Sequence, residues 1–125
     1  MTPVPGPVTI GELLRTADLL LAGGVEASAA SRHRGASLAL RTTLEIAVNR
    51  AVEAQVTGLA QVSVRARMLC LRFYTDPETA RRANAIWSQV CLACHYHRYE
   101  IGPTHAQVVA WRREVAALIS LLADS

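Results

Sequence analysis

Apolar residues recur at three- and four-residue spacing along most of this chain, and no segment sustains a two-residue alternation bounded by turn dipeptides. Side chains three and four apart share a helix face, so the pattern argues helices and not strands. Thr9-x-x-Glu12 opens the first segment as a capping box, and Gly23-Gly24 closes it. The spacing predicts a helix over about 10–22 with Ile10, Leu13, Leu14, Ala17, Leu20 and Leu21 in one stripe. A second helix is predicted from near 27–31 to about 56, with Gly58 as a stop. Leu40, Leu44, Ala47, Ala51 and Ala54 give it a core face, while Gly35 weakens its early turns.

A third, short helix covers about 61–73 with Val64, Met68 and Leu71 inward. Thr75-Asp76-Pro77-Glu78 then supplies an N-cap, a first-turn proline and an acid at the positive end of the dipole. The fourth helix runs from about 77 to 98, and Ile101-Gly102-Pro103-Thr104 breaks it. Thr104-x-x-Gln107 is another capping box, opening a last helix of about 105–122 lined by Ala106, Val109, Ala110, Ala117, Leu118 and Leu121. The expected fold class is all-α: an antiparallel up-and-down bundle of four long helices plus one short helix. Residues 1–8, rich in proline, are expected to be a flexible segment, and 9–125 a single domain.

Composition narrows the class. A chain of 125 residues with 51% hydrophobic and 18% charged positions suits one folded core and excludes disorder. No apolar run approaches the roughly 20 residues that span a bilayer, so no membrane partner is expected. The opening Met-Thr-Pro-Val-Pro-Gly-Pro-Val lacks the basic and apolar regions of a signal peptide, which implies a cytoplasmic protein. Its three cysteines are accordingly read as reduced thiols. All 13 basic residues are arginine, and the net charge is +3. Residues 61–98 hold Arg65, Arg67, Arg72, Arg81, Arg82 and Arg98 against Asp76 and Glu78, a hint of a phosphate-bearing partner. A solvated helical face explains the same run.

Chemistry concentrates in Cys-Leu-Ala-Cys-His-Tyr-His-Arg-Tyr-Glu, residues 91–100. Cys91-x-x-Cys94-His95 matches the c-type haem attachment pattern, which needs an export route that this sequence does not display. Cys91, Cys94 and His95 fall within about a third of a helix circumference, as a zinc site would require. On a continued helix His97 points away from them, and a fourth ligand would have to come from Cys70, His33 or His105. Buried thiols acting as small hydrophobes account for the two cysteines more simply, and neither cofactor nor metal is expected. Asn84, Ser88, Cys91, His95 and Arg98 trace one polar stripe, opposite Ile86, Trp87, Val90 and Ala93/Cys94. A histidine beside an arginine suits metal-free RNA cleavage: the imidazole takes a 2′-hydroxyl proton and the guanidinium holds the phosphate. A helix end whose histidine meets a backbone carbonyl is the structural alternative.

Leu-Arg-Thr-Thr-Leu-Glu-Ile-Ala-Val (40–48) with Trp-Ser-Gln-Val-Cys-Leu-Ala-Cys-His-Tyr-His-Arg-Tyr-Glu-Ile-Gly-Pro-Thr (87–104) and an amphipathic last helix resembles the HEPN superfamily. It is similar in particular to a branch of small actinobacterial single-domain members, over about residues 10–120. The resemblance implies a bundle of four to five helices, a homodimer, and RNA or a nucleotide as ligand. It also implies a metal-independent ribonuclease of a toxin–antitoxin or defence system, with an antitoxin as protein partner, or else a non-catalytic homodimeric adaptor. The family's catalytic pattern is an arginine, then four to six intervening residues, then a histidine. No arginine holds that place before His95, where Ser88, Gln89 and Val90 stand; Arg98 and His105 are the literal match. The catalytic candidates are therefore His95, Arg98 and His105. Glu45 with Arg41 corresponds to the family's polar position on the second helix, and an Arg41–Glu45 ion pair is the structural reading of the same residues. Asn84, His97, Tyr96 and Tyr99 complete the candidate substrate contacts, the tyrosines as stacking surfaces.

Overall fold

In the computed structural model, which describes residues 7–58, 61–95 and 102–124, each helix begins where a short polar side chain meets unpaired backbone N–H groups. Helix α1 spans Ile10–Leu21, α2 Ala29–Glu53, α3 Val64–Cys70, α4 Pro77–Cys94 and α5 His105–Ala123. Thr9, Ser28, Ser63, Asp76 and Thr104 are their N-caps, each side chain accepting from the N–H three residues on. At α5 the box is reciprocal: Gln107 N–H donates to Thr104 Oγ1 at 3.1 Å, and Thr104 N–H to Gln107 Oε1 at 2.9 Å. Gly23, at φ 76°, closes α1; its N–H reaches the Leu20 carbonyl and that of Gly24 the Leu19 carbonyl, the paired bonds of a Schellman motif.

The described residues form an all-α fold with no strand. Helix α2 packs on all the others, and α1, α4 and α5 complete a four-membered bundle around its inner face. Their directions follow from individual contacts. Leu20, late in α1, touches Gly35, early in α2, and Ile10 lies by Ala47, Ala51 and Ala54, so α1 and α2 are antiparallel. Arg82 meets Glu114 and Gln89 meets Trp111, so α4 and α5 are antiparallel too. Arg112 reaches Asp18 with its Nε at 2.9 Å and ties α5 to α1. The short α3, with a 3-10 turn at Leu71–Phe73, bridges the lower end from α2 to α4. Asn84 holds it there, its amide donating to the Met68 carbonyl at 2.9 Å and the Ala80 carbonyl at 3.0 Å.

The core is built of Leu40, Leu44, Val48, Val52, Met68, Leu71, Val90, Val108, Val115 and Leu118, with Ala17, Ala36 and Ala83 sealed between them. Two expectations about faces need correction. Ala54 is an exposed C-cap and not part of the α2 core face. In α5 the buried residues are Val108, Val115, Leu118 and Leu122, whereas Ala106, Ala110, Ala117 and Leu121 point outward. That helix is apolar on most of its circumference, so its spacing alone does not tell which side meets the core.

Gly35 sits inside α2, and its missing side chain is where α1 comes close: a Cβ there would stand 3.1 Å from Leu20 Cδ1. Leu20 is only half-buried, so its far end has room to shift. The gain in helix propensity, about 1 kcal/mol, therefore outweighs the adjustment. Gly35→Ala is expected to raise the melting temperature by a few degrees; a fall would show that Leu20 is held in place by its neighbours.

Candidate functional site

The fourth helix stops sooner than its sequence pattern suggests. It closes at Cys94, and His95 is its C-cap at φ −112°, its N–H bonded to the Leu92 carbonyl. The expected continuation of this helix to about 98 falls beyond His95 on positions outside the described residues. Tyr96, His97, Arg98 and Tyr99 lie outside the described residues. Ile86, Val90, Ala93 and Cys94 are buried and Ser88 and His95 exposed, as the two-sided reading of this helix expects. Asn84 belongs to the stripe by position, but its amide is engaged by the carbonyls of Met68 and Ala80.

Three helix ends meet at the top of the bundle. The early turns of α2 bring His33, Arg34 and, one and two turns on, Leu38 and Arg41; α4 delivers Cys91, Cys94 and His95; α5 begins with His105. Arg41 bridges α2 to α4. Its Nε lies 3.6 Å from Glu45 Oε1, a loose ion pair beyond hydrogen-bonding reach, and is buried with no hydrogen-bond partner among the described residues. The guanidinium also acts on the Cys94 thiol, favouring its ionised form. The Arg41–Glu45 pair read from the sequence therefore forms, about three-quarters buried, with capacity left on the guanidinium. Burial pushes both the Cys91 and Cys94 thiols above the usual range, only partly offset by Arg41 and, at Cys94, Arg34. They remain protonated at neutral pH and are poor nucleophiles.

The contact that sequence reasoning missed is His33 with His105. Their ring centroids are 5.6 Å apart and the planes inclined by 56°. His33 had entered only as a distant ligand candidate, because nothing in the linear order brings position 33 to 105. Burial foremost, then the charges of His105 and Arg32, hold the His33 ring below the usual histidine range, against a hydrogen bond to the Pro103 carbonyl. His105 and His95 are exposed. Among the described residues no three histidine, cysteine or acidic side chains are gathered as metal ligands would be.

Three arginines of the basic middle segment are engaged locally. Arg81 pairs with Glu78, Arg82 forks onto Glu114 with its Nε at 3.0 Å, and Arg72 lies over the Phe73 ring at 4.9 Å. At the upper end, Arg32, which donates to the Ala27 carbonyl, and Arg34 stand in the first turns of α2, near the start of α5, and Arg41 lies further along α2.

Fold and site together define an all-α helical bundle with a histidine- and arginine-bearing end, and no described helix is long and apolar enough to cross a membrane. Comparison with protein-family models, curated proteins and solved structures finds no match to this chain.

Proposed function

We propose that the chain is a HEPN-like protein that binds RNA or a nucleotide by its phosphates at the upper end of the bundle. One observation carries this: His33 of α2 meets His105 of α5, while Arg34 and Arg41 of α2 act on Cys94 where α4 closes, next to His95. The exposed Arg34 and the partly buried Arg41 offer an anion charge and directional donors together. The positive ends of two helices add to the same field. The reading carries with it a homodimer in the cytoplasm, metal-independent RNA cleavage, and work within a toxin–antitoxin or defence system.

Binding is tested by fluorescence anisotropy with a labelled single-stranded RNA. Affinity is expected to fall steeply with salt, and Arg34→Ala and Arg41→Ala each to flatten the log–log slope by roughly one phosphate. Salt-independent binding, or none, would sink the assignment. The absence of an arginine at 88, 89 or 90, four to six intervening residues before His95, favours a second reading, a homodimeric adaptor without catalysis. Tight dimerisation with no RNA affinity would support it.

A further inference from the structure

We propose that His33 and His105 form a two-histidine acid–base pair that cleaves RNA at the upper end of the bundle, a step that rests on the RNA-binding reading above. The pair has the geometry for it. The rings come from α2 and α5 and stand 5.6 Å apart between centroids, inclined and not stacked face to face. Rings that are direct neighbours can both reach one bound phosphodiester, each at a hydrogen-bond distance of about 2.6–3.2 Å to a different oxygen. His105 is the first residue of α5 and exposed, and His33 is half-buried behind it, so a ligand from solvent reaches both.

Electrostatics choose the ligand's sign. Arg32 acts on His33, Arg34 stands one residue further along α2, and His105 sits at the positive end of α5. Among the described residues no carboxylate or thiol joins the two rings to make a three-ligand set. An anion is favoured there over a cation. The two rings are also unequal. His33 is the more desolvated and is held neutral by burial and its cationic neighbours, whereas His105 is open to water. That difference makes His33 the proton acceptor, since its ring is held neutral, and leaves the solvent-open His105 as the partner that meets the leaving oxygen.

The step balances without metal or oxidant. As the ribose 2′-oxygen attacks phosphorus, its proton passes to His33; the P–O5′ bond breaks; His105 gives its proton to the departing O5′. The products are a 2′,3′-cyclic phosphate and a free 5′-hydroxyl, and no atom changes oxidation state. Both proton transfers are handled by the two imidazoles, so neither needs an arginine upstream of His95.

The test uses the full chain with a labelled RNA oligonucleotide in EDTA, and measures both binding and cleavage. Wild type is expected to produce cyclic phosphate ends with a bell-shaped pH profile. His33→Asn and His105→Asn should each lower cleavage about 100-fold or more. Any loss of RNA affinity should be only a few-fold, far smaller than the loss of cleavage, and the two substitutions together should lower cleavage scarcely more than either alone. A 2′-deoxy substitution at the cleavage position should abolish the reaction. Melting curves establish that the variants fold, which the exposed first-turn position of His105 favours. Cleavage at the wild-type rate in both variants overturns the pair and leaves RNA binding and cleavage intact. RNA bound but never cleaved by wild type overturns the pair while the binding reading survives. Neither binding nor cleavage overturns both.

Discussion

Leu44→Ala is expected to cost about 3 kcal/mol and to lower the melting temperature by about 10 °C. Leu44 is fully buried on α2, the helix that touches every other. Removing its branched end deletes contacts that reach across the bundle and leaves a cavity whose walls belong to different helices. Helix formation itself is unaffected, because alanine is the better helix former. The loss is therefore all packing, and helical circular dichroism at low temperature should be unchanged while the thermal midpoint falls. A midpoint within a degree or two of wild type would mean that the neighbouring helices close over the gap, and that the core is less firmly fixed than its burial suggests.

The second large effect runs the other way in volume. Ala83 is fully sealed on α4, while Ala85, two positions on, faces solvent. Ala83→Leu forces a branched side chain into space already filled by the core, at a cost of about 1–3 kcal/mol or more. Ala85→Leu adds the same atoms to the outside and should leave stability nearly unchanged. The pair of thermal melts separates overpacking from helix propensity, since both substitutions have the same intrinsic cost. Equal midpoints for the two variants would show that α4 can slide on α2 to make room. Asn84, bonded to the Met68 and Ala80 carbonyls beside this position, is the residue expected to resist that slide.

These two positions also show how differently sequence and structure inform. Leu44 belongs to a stripe with Leu40, Ala47 and Ala51 that the helical period already assigns to the core, and all four are buried. Ala83 carries no such mark, because alanine suits a surface, a cap or a crowded interior equally. The same indifference misled the assignment of α5. Ala106, Ala110 and Ala117 form a credible inner face by spacing, yet Val108, Val115, Leu118 and Leu122 are the ones enclosed. On a helix apolar nearly all round, the partner helices choose the face, not the pattern.

The candidate site divides along similar lines. The Arg41–Glu45 pair was legible, because residues four apart on a helix are neighbours whatever the fold. The burial of Cys94 followed from its place opposite the polar stripe. The charge surplus of the middle segment was a poor guide, since Arg82 finds Glu114 on another helix. The meeting of His33 with His105 was invisible, for it links positions on helices that only the bundle sets side by side.

What the linear order determined was local: five helices with their caps at Thr9, Asp76 and Thr104, the glycine stop at Gly23, and the α2 stripe. Each of these depends on atoms a few residues apart, where backbone N–H groups and neighbouring side chains interact without reference to the rest of the chain. Tertiary structure decided which side of α5 is inside, which arginines are spent on pairs, and which histidines share a surface. Those outcomes depend on the rotation and direction of each helix against its neighbours, which are fixed only when all the apolar faces compete for one common core.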